Sequence, residues 1–71
     1  MNAFGIHRGF TPLMYAAKFG NVKLISRLLN AGSSETLKND YGHTAREIAE
    51  MNGFVEVYDE ATTRAKSMAE D

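Results

Sequence analysis

The 71-residue sequence contains an internal repeat, and this repeat is the feature that most restricts the fold. Over residues 9–32, a shift of 33 residues places identical residues on one another at five pairs of positions: Gly9 with Gly42, Thr11 with Thr44, Ala16 with Ala49, Gly20 with Gly53 and Val22 with Val55. Glycine and threonine commonly mark the ends and starts of helices. A fixed period of this length indicates structural units that stack and cover each other's apolar faces.

The first unit has the signals of two short helices joined by a tight turn. Thr11 followed by Pro12 is a typical helix start, because the hydroxyl accepts a hydrogen bond from a free amide and proline suits the first turn. Gly20 is expected to end this helix and Asn21 to cap the next one. Residues at helical spacing then form one wide apolar face: Val22, Leu24, Ile25, Leu28 and Leu29. The pattern predicts a pair of antiparallel helices, and Thr44 starts the same pattern again.

The segment between the two predicted helix pairs is polar. Residues 33–42 are turn formers without a helical period, which predicts an extended loop or hairpin. We divide the chain into a first unit at residues 9–41, a second unit at residues 42–71, and an N-terminal segment at residues 1–8 in the position of a preceding hairpin loop. Good helix formers continue beyond Ala61, so we expect a long last helix that acts as a cap.

These units resemble ankyrin repeats. The resemblance is carried by GFTPLMYAAKFGN at residues 9–21 and LLNAG at residues 28–32, which are similar to the signature of that 33-residue family. TAREIAE at residues 44–50, with Gly53, is similar to the divergent form of a last repeat. The resemblance implies an all-α solenoid fragment of two stacked helix-turn-helix repeats, with a connecting hairpin loop and a long C-terminal helix.

The sequence departs from the family pattern at two turns, and its N-terminal segment is too short to be a repeat. Met14 replaces a histidine that orders the turn in the family, and Asn39 stands where an aspartate is common. Residues 1–8 cannot cover the first helix pair well. Three arrangements stay open: the chain is a fragment of a longer array, Phe4 and Ile6 fold back, or another chain covers the open end.

The resemblance also implies a function in protein–protein recognition. Ankyrin arrays usually bind through the hairpin tips and the concave face of the first helix of each pair. The exposed positions of that geometry fall here on His7, Arg8, Phe10, Lys18, Phe19, Asp40, Tyr41, His43, Met51 and Asn52. Aromatic and Met side chains beside Arg are typical of a contact surface. Packing of these side chains on neighbouring loops would explain the aromatic and Met residues at these positions equally well.

Two other functions stay open beside a scaffold or adaptor that binds a partner protein. The chain could be a structural or capping subunit whose N-terminal end is buried by a further repeat or another subunit. It could also be the regulatory ankyrin tail of an enzyme.

Composition argues against several other classes of protein. The chain has no Cys and two His, and two His cannot form a metal site without carboxylates placed beside them. It contains no phosphate-binding loop or nucleophile motif, so we expect no enzyme activity, no cofactor and no metal. The net charge of −1 argues against binding to nucleic acid. No apolar run approaches the ~20 residues of a membrane span, and the lack of Cys favours the cytoplasm or nucleus.

Overall fold

The computed structural model describes residues 9–70, with the side chains of residues 9–68. Within these residues the chain forms no strand and four helices, which are α1 (Pro12–Phe19), α2 (Val22–Asn30), α3 (Ala45–Met51) and α4 (Val55–Glu70). The fold is therefore all-α, as the resemblance implied. The helix pairs α1–α2 and α3–α4 fall within the predicted units at residues 9–41 and 42–71; the unit boundaries themselves stay a prediction.

Both helix pairs begin with the predicted threonine cap. The Thr44 hydroxyl accepts a hydrogen bond from the Glu47 N–H at 3.3 Å, and the Glu47 carboxylate accepts one from the Thr44 N–H at 2.9 Å. In the first pair, the Thr11 hydroxyl accepts from the Met14 N–H at 3.2 Å. The thioether Sδ of Met14 takes the place of the carboxylate and lies 3.4 Å from the Thr11 nitrogen. Met14 thus supplies a weak acceptor for the turn while it fills the core.

The turn between the helices of the first pair also follows the local signals. Gly20 adopts a left-handed conformation with φ of +69° and ends α1. The Asn21 side chain accepts a hydrogen bond from the Leu24 N–H at 3.2 Å and caps α2. These turn and cap contacts give hydrogen-bond partners to backbone groups that a helix end otherwise leaves without one.

The two pairs pack side by side. Helix α1 contacts α2 and α3, and α4 contacts α2 and α3. One core joins all four helices, and its buried residues include several alanines that let the helices approach closely. They are Leu13, Met14, Ala16, Ala17, Ile25, Ala45, Ile48, Ala49, Tyr58 and Ala61.

Helix α4 is the long last helix that the sequence predicted, with 16 residues against 9 in α2. Tyr58 on this helix is fully buried, and its hydroxyl donates to Oε1 of Glu35 in the loop after α2, at 3.1 Å. Burial of the phenol and the nearby Glu35 carboxylate raise the pKa of Tyr58 well above its ordinary value. Among the described helices, none combines the length and the hydropathy that a membrane crossing requires.

Candidate partner-binding surface

The predicted contact residues that the structure describes lie at the two ends of the layer formed by α1 and α3. Lys18 and Phe19 are the last residues of α1, while Met51 ends α3 and Asn52 follows it. The turns after these two helices lie side by side. A Cβ on Gly20 in the first turn would fall 2.7 Å from the ring of Phe54 in the second turn. This arrangement brings the four predicted residues to one end of the layer, which we call the turn end.

The side chains at the turn end are largely open to solvent. Phe19 is 69% exposed and Met51 is 59% exposed. The ammonium of Lys18 lies 5.7 Å from the centroid of the Phe19 ring, a distance that allows a cation–π attraction. The Asn52 side chain donates to the carbonyl of Ile48 at 2.8 Å, so its amide also holds the end of α3. The turn end therefore presents two large apolar side chains beside a cation.

Three of the other predicted residues, Asp40, Tyr41 and His43, lie in the loop before α3, which we call the loop end. Asn39 is buried and organises this loop, because its Oδ1 accepts hydrogen bonds from the N–H groups of Tyr41 at 2.9 Å and His43 at 3.0 Å. Its own N–H donates to the His43 carbonyl at 3.0 Å. Asn39 thus makes the contacts that hold Asp40 and Tyr41, both exposed, at the tip of the loop. His43 is half-buried at the base of the loop.

Phe10 was expected at an exposed position, but the structure covers part of it. It is half-buried and packs against the core, with its ring centroid 5.1 Å from that of Tyr15 and the two rings tilted by 40°. Aromatic pairs at such a distance attract each other, and burial of the ring adds to that attraction. Arg8, as well as His7, Phe4 and Ile6, lies outside the described residues. The binding role of the whole set stays a prediction.

The hydrogen bonds of Asn39 lead to a first prediction. Replacing Asn39 by alanine removes the acceptor for two loop amides, and we expect a loss of about 1–2 kcal/mol in the free energy of unfolding. Asn39→Asp keeps a side-chain oxygen in the same place and should lose less stability than Asn39→Ala. Urea unfolding followed by circular dichroism measures both. Equal losses in the two variants would show that the acceptor does not hold the loop.

Two exposed leucines were not among the predicted contact residues. Leu37 is exposed in the loop between α2 and α3, and Leu24 is exposed although the sequence pattern assigned it to the apolar face of α2. Leu37 could have been found from the sequence, because it is an apolar residue within a polar turn-forming segment. Leu24 could not, because its exposure depends on what packs beside α2.

The titratable groups do not gather into a metal site within the described residues, where no group of three or more His, Asp or Glu side chains could hold a metal ion. Two interactions of charged side chains shift pKa values, one in a helix cap and one in an ion pair. The Thr44 N–H lowers the pKa of Glu47 through its hydrogen bond. The guanidinium of Arg46 lowers the pKa of Asp59 in the same way.

Stacked helix pairs joined by an exposed loop define the class of helical-repeat proteins. A family model described as ankyrin repeats (many copies) matches residues 7–49, which is more than half of the chain. The chain belongs to the ankyrin-repeat family. Comparison with curated proteins and with solved structures gives no match. Ankyrin repeats generally mediate protein–protein interaction and are typically non-catalytic.

Proposed function

We propose that this chain is a non-catalytic module of a scaffold or adaptor that binds another protein through the turn end and the loop end of the α1–α3 layer. The observation that carries the proposal is the exposure of Phe19 and Met51 at the ends of α1 and α3 and of Tyr41 in the loop before α3. Large apolar side chains on an ordered surface are typical of the central residues of protein interfaces.

The geometry suggests what shape of partner this surface fits. Helix α1 has eight residues, so its two ends are about 12 Å apart at 1.5 Å per residue. A partner that contacts both ends must span that distance along the layer. The helix caps and the Asn39 contacts already order the surface, so little conformational entropy is lost when the partner binds.

The partner can be identified by site-specific photo-crosslinking in the native cell. A benzophenone amino acid at Phe19 or at Tyr41 is expected to form a covalent adduct with the same protein. The matched control is the same amino acid at Lys23, an exposed position on α2 in the other helix layer. Adducts that form equally well from Lys23, or that differ between Phe19 and Tyr41, would contradict the proposal.

Once the partner is known, alanine substitutions test the surface. We expect Phe19→Ala and Tyr41→Ala each to weaken binding by about tenfold or more, because each removes an exposed aromatic anchor. The exposed Glu56 on α4 provides a control, and Glu56→Ala should leave the affinity unchanged. Calorimetry measures the affinity, and circular dichroism checks that helix content is the same in every variant. Unchanged affinity in both aromatic variants would disprove this binding surface.

A further inference from the structure

The two helix pairs differ in a systematic way where they face outward along the stack. At four positions the residue of the first pair is buried, and the residue 33 positions later is exposed and charged. These pairs of positions are Leu13 and Arg46, Met14 and Glu47, Ala17 and Glu50, and Ser26 and Asp59. In the first pair this side lies against α3 and α4. In the second pair the same side faces away from the stack, and we call it the C-terminal face.

The C-terminal face carries an ion pair between α3 and α4. Arg46 donates from Nε and from a terminal guanidinium nitrogen to the two carboxylate oxygens of Asp59, each at 3.0 Å. A further helix pair on this face would have to cover these charges as well as Glu47 and Glu50. Covering charged groups costs free energy, so this face disfavours a further helix pair.

The opposite side of the first pair shows the reverse pattern. At three positions the residue of the first pair is apolar and less covered than the residue 33 positions later. Pro12 is exposed where Ala45 is buried, Leu24 is 42% exposed where Val57 is half-buried, and Leu28 is half-buried where Ala61 is buried. We call the surface formed by Pro12, Leu24 and Leu28 the N-terminal face.

We propose that the N-terminal face is a stacking surface that receives a further ankyrin-type helix pair from outside these 71 residues. The occupant follows from the interface within the chain. The second pair uses Ala45, Val57 and Ala61 where the first pair has Pro12, Leu24 and Leu28, and those residues of the second pair are covered when α3 and α4 pack against α1 and α2. The first pair thus keeps the apolar chemistry of a receiving face. This inference does not depend on the proposed binding role of the α1–α3 layer.

Two other occupants fit the observations less well. A second copy stacked head to tail would cover the Arg46–Asp59 ion pair of its neighbour. Residues 1–8 are fewer than the residues of α1 and α2 together, so they cannot supply a helix pair.

The proposal is tested by duplicating residues 9–41 within the full chain, so that residues 1–41 are followed by residues 9–71. The added unit presents Leu13, Met14, Ala17 and Ser26 to the original N-terminal face in the same register as the natural interface. We expect the thermal midpoint to rise by about 10 °C or more, because stacked repeats stabilise their neighbours. Calorimetry or circular dichroism of the original and the duplicated chains measures this shift.

The duplicated chain contains its own matched control, because Leu24 occurs in it twice. Leu24→Gln in the second copy, beneath the added unit, should remove at least half of the gain. The same substitution in the first copy, which is still exposed, should change the midpoint by only a small fraction of that amount, as it should in the original chain. Equal effects in the two copies, or no gain from the duplication, would overturn the proposal.

Two further measurements distinguish the other occupants. Sedimentation should show that the original chain is a monomer. A dimer of the original chain that Leu24→Gln dissociates would mean that a second copy occupies the N-terminal face. Deletion of residues 1–8 should leave the thermal midpoint of the original chain nearly unchanged. A fall of several degrees on deletion, with no gain from duplication, would mean that these residues cover the face instead.

Discussion

Replacing Tyr58 by alanine is expected to leave about half or more of the molecules unfolded at 25 °C. Tyr58 is 1% exposed and is the largest fully buried side chain of the described residues. Removing a buried aromatic ring costs about 3–5 kcal/mol, and a single core of this size supplies about 3–5 kcal/mol of net stability. The two amounts are similar, so the substitution removes nearly all of the free energy of unfolding. Loss of the helical circular dichroism signal without denaturant measures this result.

The matched control keeps the ring and removes only the hydroxyl. Tyr58→Phe loses the hydrogen bond to Glu35, which is exposed, and should cost about 0.5–1.5 kcal/mol. A folded Tyr58→Ala variant with an unchanged urea midpoint would show that the core does not depend on this ring.

The raised pKa of Tyr58 adds a pH dependence to the same comparison. Its pKa in the folded chain lies above the value of about 10 in the unfolded chain. The hydroxyl therefore contributes its stability fully below pH 10, and that contribution is lost as the pH rises above 10. The urea midpoint of the original chain should fall more steeply above pH 10 than that of Tyr58→Phe. Parallel curves would contradict this assignment.

Replacing Gly20 by alanine should cost about 2–5 kcal/mol, the second largest effect that we expect. Gly20 has a φ of +69°, and a side chain in that conformation costs about 1–2 kcal/mol. In addition, the new Cβ would lie 2.7–2.9 Å from three atoms of the Phe54 ring. These atoms include the ring carbon nearest the backbone, so the turn between α3 and α4 has to shift, and such overpacking typically costs about 1–3 kcal/mol.

Gly53 provides the matched control for Gly20. It occupies the equivalent turn of the second pair with a φ of +81°, and nothing lies within 4 Å of the position of a Cβ. Gly53→Ala should therefore cost only the conformational part, about 1–2 kcal/mol. The difference between the two urea midpoints measures the close approach of the two turns. Equal midpoints would mean that the turns do not press against each other in solution.

The sequence by itself determined the helix pairs and their ends. The caps at Thr11, Thr44 and Asn21 and the stop at Gly20 all depend on hydrogen bonds or backbone angles within about four residues, so local sequence is sufficient to predict them. The same is true of the long last helix, which follows from an uninterrupted run of helix formers. The 33-residue period then predicted that the two pairs stack, because each has an apolar face that it cannot cover alone.

Only the tertiary structure decided which apolar residues are covered and which charges meet. The sequence placed Phe10 among the exposed positions and Leu24 on the apolar face of α2, whereas Phe10 packs on Tyr15 and Leu24 is exposed. Arg46 and Asp59 are 13 residues apart and meet because α3 and α4 lie side by side. The physical reason is that burial and charge pairing depend on side chains that only the folded chain brings together, whereas a helix cap depends on residues next to it in the sequence.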